Sequence, residues 1–201
     1  MRSSSSRGFT LLELILSVSL LGILVFKATV AISAAAKFTS EGTSSLVLED
    51  QARRTLDRIA YAIMGSDRDT LIPETEAPLY SEQLDYRISL GIQNGKVVWD
   101  DPERIGLGVQ ENQLTWFENP QTVAERRIVW SNRVRPFLEG EIPNGVDDNG
   151  NGLVDEKGLS FVIYKNMVTI RLTLGRQLPG GGWADETVET KVTCRNPASG
   201  L

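Results

Sequence analysis

Apolar and polar positions follow three successive rules along the chain. Between Phe9 and Ala36 only Glu13 and Lys27 are charged, giving a 28-residue apolar stretch. As a helix rising 1.5 Å per residue it would be about 42 Å long, enough to cross a bilayer with tilt. Lys27 divides the stretch, but a lysine near the far boundary can snorkel its amine toward the headgroups. In "LVLEDQARRTLDRIAYAIMGS" the rule becomes a helical period: Ala52, Leu56, Ile59, Ala60 and Ile63 form one apolar stripe and the opposite face is charged. Glu49 with Arg53 and Asp50 with Arg54 are acid-before-base pairs one turn apart, each worth about 0.2–0.5 kcal/mol. Gly65 is a C-terminal stop. One helix is therefore expected from Phe9 to about Met64, loosened at Glu41-Gly42-Thr43. The Arg53, Arg54 and Arg58 cluster reads either as a contact with a neighbouring molecule or, more simply, as a solvated face.

Beyond Pro73 and Pro78 the period falls to two. "LDYRISLGI" alternates, Asn94-Gly95 is a hairpin turn and "KVVW" follows; further strands are expected at "NQLTWFE" and "RRIVWS". A late hairpin joins "LSFVIYK" to "MVTIRLTL" around Asn166, and "TVETKVTC" supplies a last strand. Eight or so short strands and few helices predict an α+β fold, an antiparallel β-sheet head wrapped against the amphipathic half of the helix. Trp99, Trp116 and Trp130 end or interrupt strands and read as packing residues. The glycines of "LPGGGWADE", residues 178–186, match no phosphate-loop pattern and read as a flexible loop.

Composition narrows the chemistry. The 201 residues include a single cysteine, Cys194, and no histidine. An internal disulfide and a multi-cysteine metal site are excluded, and the usual zinc ligand and general base are missing. Cys194 reads as a small strand residue. A hydrolase built on this chain would need two carboxylates about 5 to 9.5 Å apart in a cleft, and its acids instead cluster in a loop without flanking aromatics. The net charge is -5, which disfavours nonspecific nucleic-acid binding.

Glu13 requires an explanation, because a carboxylate at the bilayer centre costs about 2.5–3.5 kcal/mol on insertion scales. An ordinary secretory signal fits poorly: its small-residue cleavage site follows the apolar region, whereas Gly8 precedes it. The run Arg7-Gly8-Phe9-Thr10-Leu11-Leu12-Glu13 resembles the N-terminal signal of type IV pilins and type II secretion pseudopilins. Gly22 also falls where pilins often carry a helix glycine, while Val30 departs from the family by standing where many have a kinking proline. The resemblance is strong over roughly residues 7–35; beyond it lies only the general plan of a long helix followed by a sheet.

That resemblance implies a pilin-like division into a leader (1–8), a transmembrane and filament-core helix (9–37), an amphipathic half of the helix (38–66) and a β-rich head (67–201). It implies cleavage between Gly8 and Phe9 by a prepilin peptidase, methylation of the Phe9 amine, and assembly through Glu13. The processed chain would carry 19 basic and 26 acidic side chains, or -7. The implied partners are other pilin or pseudopilin subunits, the peptidase, an inner-membrane assembly platform and membrane lipid; no nucleic acid is expected. The implied location is the bacterial inner membrane, crossed once, with the head periplasmic or extracellular. A neighbouring subunit's Phe9 amine would then neutralise Glu13 at the same depth.

The acidic stretch "PNGVDDNGNGLVDEKG", residues 143–158, suggests a hard cation. With Asp147 as position 1, Asn149 and Asn151 fall at positions 3 and 5 of an EF-hand-type loop, Gly152 at 6, the Leu153 carbonyl at 7 and Asp155 at 9. Position 12 is Gly158 instead of glutamate, so a shortened loop is expected in which Asp155 or Glu156 completes the shell. It resembles the D-x-[DN]-x-[DN]-G-x-x-D calcium loops of secreted bacterial proteins. From Glu139 to Lys157 there are six acids and one base, a repulsion that calcium would relieve. The alternative is a surface turn, since Asp, Asn and Gly tolerate tight backbone angles without an ion.

The leading functional expectation is a non-catalytic structural subunit, closer to a minor, J-type pseudopilin of type II secretion than to a major pilin with a C-terminal disulfide. The alternative is a minor pilin of a type IV or DNA-uptake pilus whose head contacts a surface, cargo or DNA. An exposed basic patch would count for that alternative.

Overall fold

The computed structural model describes residues 10–73, 75, 78–108, 110–178 and 181–194. It divides into two compact units, Met1–Thr43 and Ser44–Leu201. A single helix, α1 (Leu11–Met64), begins in the first and ends in the second. It is helical through Glu41-Gly42-Thr43, where loosening is expected from the sequence.

In the first unit every described side chain of residues 10–39 is exposed, including an unbroken series of leucines, isoleucines and valines. Length and composition make this segment a candidate membrane span. Its hydroxyls do not oppose that role: Ser17 Oγ donates to the Glu13 carbonyl (2.7 Å), Thr29 Oγ1 to Val25 (2.9 Å) and Thr39 Oγ1 to Ala35 (2.9 Å). Each of these three uses a carbonyl one turn back, so its proton is not left to apolar surroundings.

In the second unit the stripe is buried as its period requires. Leu48, Ala52, Leu56, Ile59 and Ile63 join the core, and Ala60 packs against it. Both expected ion pairs form on the solvent face, Arg53 to Glu49 and Arg54 to Asp50. The helix stops at Met64, and Ser66, fully buried, donates both its N–H (3.0 Å) and its hydroxyl (2.6 Å) to the Ile63 carbonyl.

Among the described residues nine strands follow, all paired antiparallel: β1 (Gln83–Tyr86), β2 (Ser89–Gln93), β3 (Lys96–Trp99), β4 (Glu103–Leu107), β5 (Leu114–Glu118), β6 (Arg126–Ser131), β7 (Leu159–Tyr164), β8 (Met167–Gln177) and β9 (Trp183–Thr193). They form three sheets, ordered β1-β4-β5-β6, β2-β3 and β7-β8-β9. Alternation builds the core: Phe161 and Ile163 on β7, Val168, Ile170, Leu172 and Leu174 on β8, and Val188 and Val192 on β9 are all buried. Burying one such side chain contributes about 1.5–3 kcal/mol, and truncating a leucine or isoleucine to alanine costs about 2–5 kcal/mol. The Ser81–Phe161 bridge ties the first sheet's approach to β7.

The head departs from the sequence expectation in four places. "LDYRISLGI" is not one strand but two in different sheets. Its first half pairs with β4 and buries Leu84 and Tyr86. The chain turns at Arg87, whose N–H donates to the Thr70 hydroxyl (3.3 Å), and the second half forms the separate β2–β3 hairpin. Its turn is as expected, with Asn94 and Gly95 both left-handed (φ 53° and 76°). The added strand is β4, "ERIGL", inserted between β1 and β5; a Cβ on Gly106 would lie 2.8 Å from that of Gln83. β9 starts at Trp183, so Trp183 to Glu186 belong to a strand and not to the glycine loop. Finally, Cys194 lies one residue past β9, buried, its N–H bonded to the Asn166 carbonyl (3.0 Å). Burial pushes its thiol above the ordinary cysteine value, so it is an inert packing group.

Candidate functional site

Gly8 and Phe9, the expected cleavage and methylation residues, lie outside the described residues. Glu13 sits in the first turn of α1 and has partners within its own chain. Its Oε2 accepts from the Thr10 N–H (2.9 Å) and the Thr10 hydroxyl (2.8 Å), while the Glu13 N–H donates to Thr10 Oγ1 (3.3 Å). Thr10-Leu11-Leu12-Glu13 is thus a capping box, with Thr10 before the first turn and glutamate three residues on. The spacing is legible in the sequence, yet a charge in an apolar run invites an electrostatic reading first. Two donors satisfy a carboxylate oxygen without removing its charge. Glu13 is therefore held in a defined orientation, with no cation beside it among the described residues.

The acidic loop is organised by its carboxylates. Asp147 Oδ1 accepts from the N–H groups of Gly150 (2.7 Å) and Asn151 (3.2 Å), and Oδ2 from Gly152 (2.8 Å). Asn149 Oδ1 accepts from the Asn151 N–H (3.0 Å), and Asn151 Oδ1 from the Leu153 N–H (2.8 Å). Residues 147–153 therefore coil tightly around the three side chains expected at positions 1, 3 and 5, with Gly150 and Gly152 in left-handed conformations. Leu153 turns its side chain into the protein, 2 % exposed, which anchors the turn.

Asp155 and Glu156 diverge from there. Asp155, itself left-handed (φ 50°), accepts from the N–H groups of Asn144 (2.9 Å) and Gly145 (3.0 Å), closing the base of the loop. Glu156 is fully buried. Its Oε1 pairs with Arg171 (2.9 Å) and accepts from Ser160, and its Oε2 takes the Asn151 side-chain amide (2.6 Å). Arg171 also pairs with Glu189 (2.6 Å), so one guanidinium on β8 is shared by two carboxylates. Asp148 accepts from the Ile142 N–H (3.2 Å) and the Asn144 amide (3.0 Å).

Two participants carry no sequence signal. Arg171 lies on a strand with ordinary alternation, and Glu141 precedes the loop. Glu141 is 8 % exposed; its Oε1 accepts from the Asn149 N–H (3.2 Å), and its Oε2 is buried without a partner among the described residues. No three His, Cys, Asp or Glu among the described residues are grouped as metal ligands, so any cation here would depend on amide and carbonyl oxygens as well.

Comparison with known proteins gives one match. Residues 3–26 fit the family model described as the prokaryotic N-terminal methylation motif. No curated protein and no solved structure matches the chain. The motif marks a precursor of the type IV pilin and pseudopilin kind, processed by prepilin peptidase and assembled with other pilin subunits; with the long apolar helix it fits a membrane-anchored structural protein.

Proposed function

From a chain that opens on the type IV pilin and pseudopilin signal, we propose a minor, J-type subunit of a type II secretion pseudopilus, non-catalytic and anchored in the bacterial inner membrane by α1 with its head on the far side. The observation that carries this reading is the junction at Glu13: a capping box orients one carboxylate at the entrance of an apolar helix, with no cation beside it among the described residues. Cutting between Gly8 and Phe9 creates an amine four residues before that carboxylate in sequence. A neighbour's amine then supplies the missing charge, and subunit register follows from the pair. Mass spectrometry of the protein taken from its host membrane is expected to find a chain beginning at Phe9 with one added methyl group. Deleting the gene is expected to stop export of a secreted protein; an intact, unprocessed N-terminus would overturn the reading.

The second reading, a minor pilin of a type IV or DNA-uptake pilus, draws support from two arginine-lined clefts on the head, taken up below. Deletion would then abolish pilus-dependent uptake or adhesion and leave export intact.

The loop of residues 143–158 serves in this reading as a calcium site. Asp147, Asn149 and Asn151 offer side-chain oxygens at alternating positions, the Leu153 carbonyl follows, and Asp155 or Glu156 closes the set; a donor set of oxygens alone suits calcium. Glu141 supports the fit, since a buried carboxylate oxygen without a donor is costly unless a cation or water reaches it. Titration calorimetry on the full-length protein in detergent is expected to show one calcium bound with a Kd of about 0.1–1 mM, the range of extracellular modules. Asp147→Ala should abolish it, and no heat at millimolar calcium would sink the site.

A further inference from the structure

Two clefts on the head share a wall. The first, about 410 Å³, lies between one face of α1, with Gln51, Arg54 and Arg58, and the end of β6, with Trp130 and Arg133. The second, about 430 Å³, continues past Asn132 and Arg133 to Arg135, Arg176 and Trp183. Five arginines line this continuous trough, and no acid is among its described lining residues. In a protein of net charge -5 that is a local inversion of sign.

The donors are held in place. The Arg58 guanidinium lies over the Trp130 ring and that of Arg135 over Trp183, each 4.3 Å from the centroid. Stacking fixes the plane of a guanidinium and leaves its edge N–H groups to face the trough. Arg133 Nη1 is steadied by Gln51 Oε1 (2.7 Å). Arg54 and Arg135 have acidic partners, Asp50 and Asp185, whereas Arg58 and Arg176 have no carboxylate partner among the described residues. Trp130 Nε1 is also buried there without an acceptor among the described residues. What the trough lacks among its described lining residues is a carboxylate, the acceptor that matches a planar guanidinium edge in two hydrogen bonds.

We propose that this trough receives a short carboxylate-rich segment of an adjacent subunit in the same filament, a proposal that rests on the filament reading above. One wall is α1, the helix that begins in the methylation motif, so assembly brings neighbours alongside it. Subunits held in one filament meet at high effective concentration, and a few charged hydrogen bonds then suffice to fix their rotation. A nucleic acid is the poorer occupant. Each tryptophan already carries a guanidinium over its ring in place of a base, and the acidic head repels a polyanion beyond the trough itself.

The test uses the full-length chain in its host, with a photo-crosslinking benzophenone amino acid at Asn132, on the wall shared by both clefts. The expected product is an adduct with a second subunit bearing the methylation motif, mapped by peptide mass spectrometry to a segment with at least two Asp or Glu. Combining Arg58→Glu with Arg133→Glu should lower its yield by about tenfold or more, as loss of a desolvated charge pair does; Arg58→Lys with Arg133→Lys should retain more of it. Continued protection of Cys194 from thiol reagents shows that the variants are folded. Assembly without an adduct, an adduct indifferent to charge reversal, or an adduct to nucleic acid overturns the trough proposal alone. A chain that is neither processed at Gly8 nor assembled overturns the filament reading with it.

Discussion

Glu13→Ala is expected to leave the head folded and to remove the subunit from filaments. Alanine deletes two things at once. It opens the capping box with Thr10, worth about 0.5–2 kcal/mol at a helix start. It also leaves the neighbour's Phe9 amine unpaired in apolar surroundings, about 3–5 kcal/mol, or more than a hundredfold in association. Glu13→Gln separates the two, because glutamine also closes a capping box but carries no charge. Both variants should be missing from sheared or purified filaments by immunoblot while remaining in the membrane fraction at normal level. If Glu13→Gln assembled like the parent chain, Glu13 would be a helix cap and the intersubunit pair would be wrong.

Gly158→Ala is expected to be the most damaging small substitution in the head. A Cβ there would lie 2.0 Å from the Arg135 carbonyl oxygen, 2.8 Å from its carbon and 3.2 Å from its nitrogen. Neither backbone can yield, because both are pinned to one residue: the Arg135 N–H donates to the Thr173 carbonyl (2.9 Å) and the Thr173 N–H to the Gly158 carbonyl (2.7 Å). The cost should exceed the roughly 1–3 kcal/mol of ordinary overpacking. A loss of about 3 kcal/mol lowers Tm by roughly 6–12 °C in a chain of this size. Scanning calorimetry of the full-length protein in detergent reads it directly, and a Tm within about 2 °C of the parent would refute the clash. The same contact explains why the loop cannot end in the glutamate of a full EF-hand at this position.

Elements whose logic is local were legible. The stripe from Ala52 to Ile63 and the alternation of "MVTIRLTL" name their buried residues because a period of 3.6 or 2 is written into neighbouring positions. β4 was not, since Pro102 and Gly106 break any local strand pattern there and the strand exists because β1 and β5 flank it. β6 was found as a strand, but its exposed Ile128 and Val129 reflect its place at a sheet edge, which periodicity does not encode. In the acidic loop, the alternation from Asp147 to Asn151 was legible; Glu141, Arg171 and the demand for glycine at 158 come from contacts distant in sequence.

Arg171 ties the fate of the acidic loop to that of the strands. Glu156 is fully buried, and the same guanidinium reaches across to Glu189 on β9. Were residues 143–158 to peel away while the sheet stayed closed, the half-buried Arg171 would lose one of its counter-ions. Opening of that kind is disfavoured, and the bonded loop amides of Gly152 and Leu153 are expected to exchange their hydrogens more slowly than the exposed loop around them.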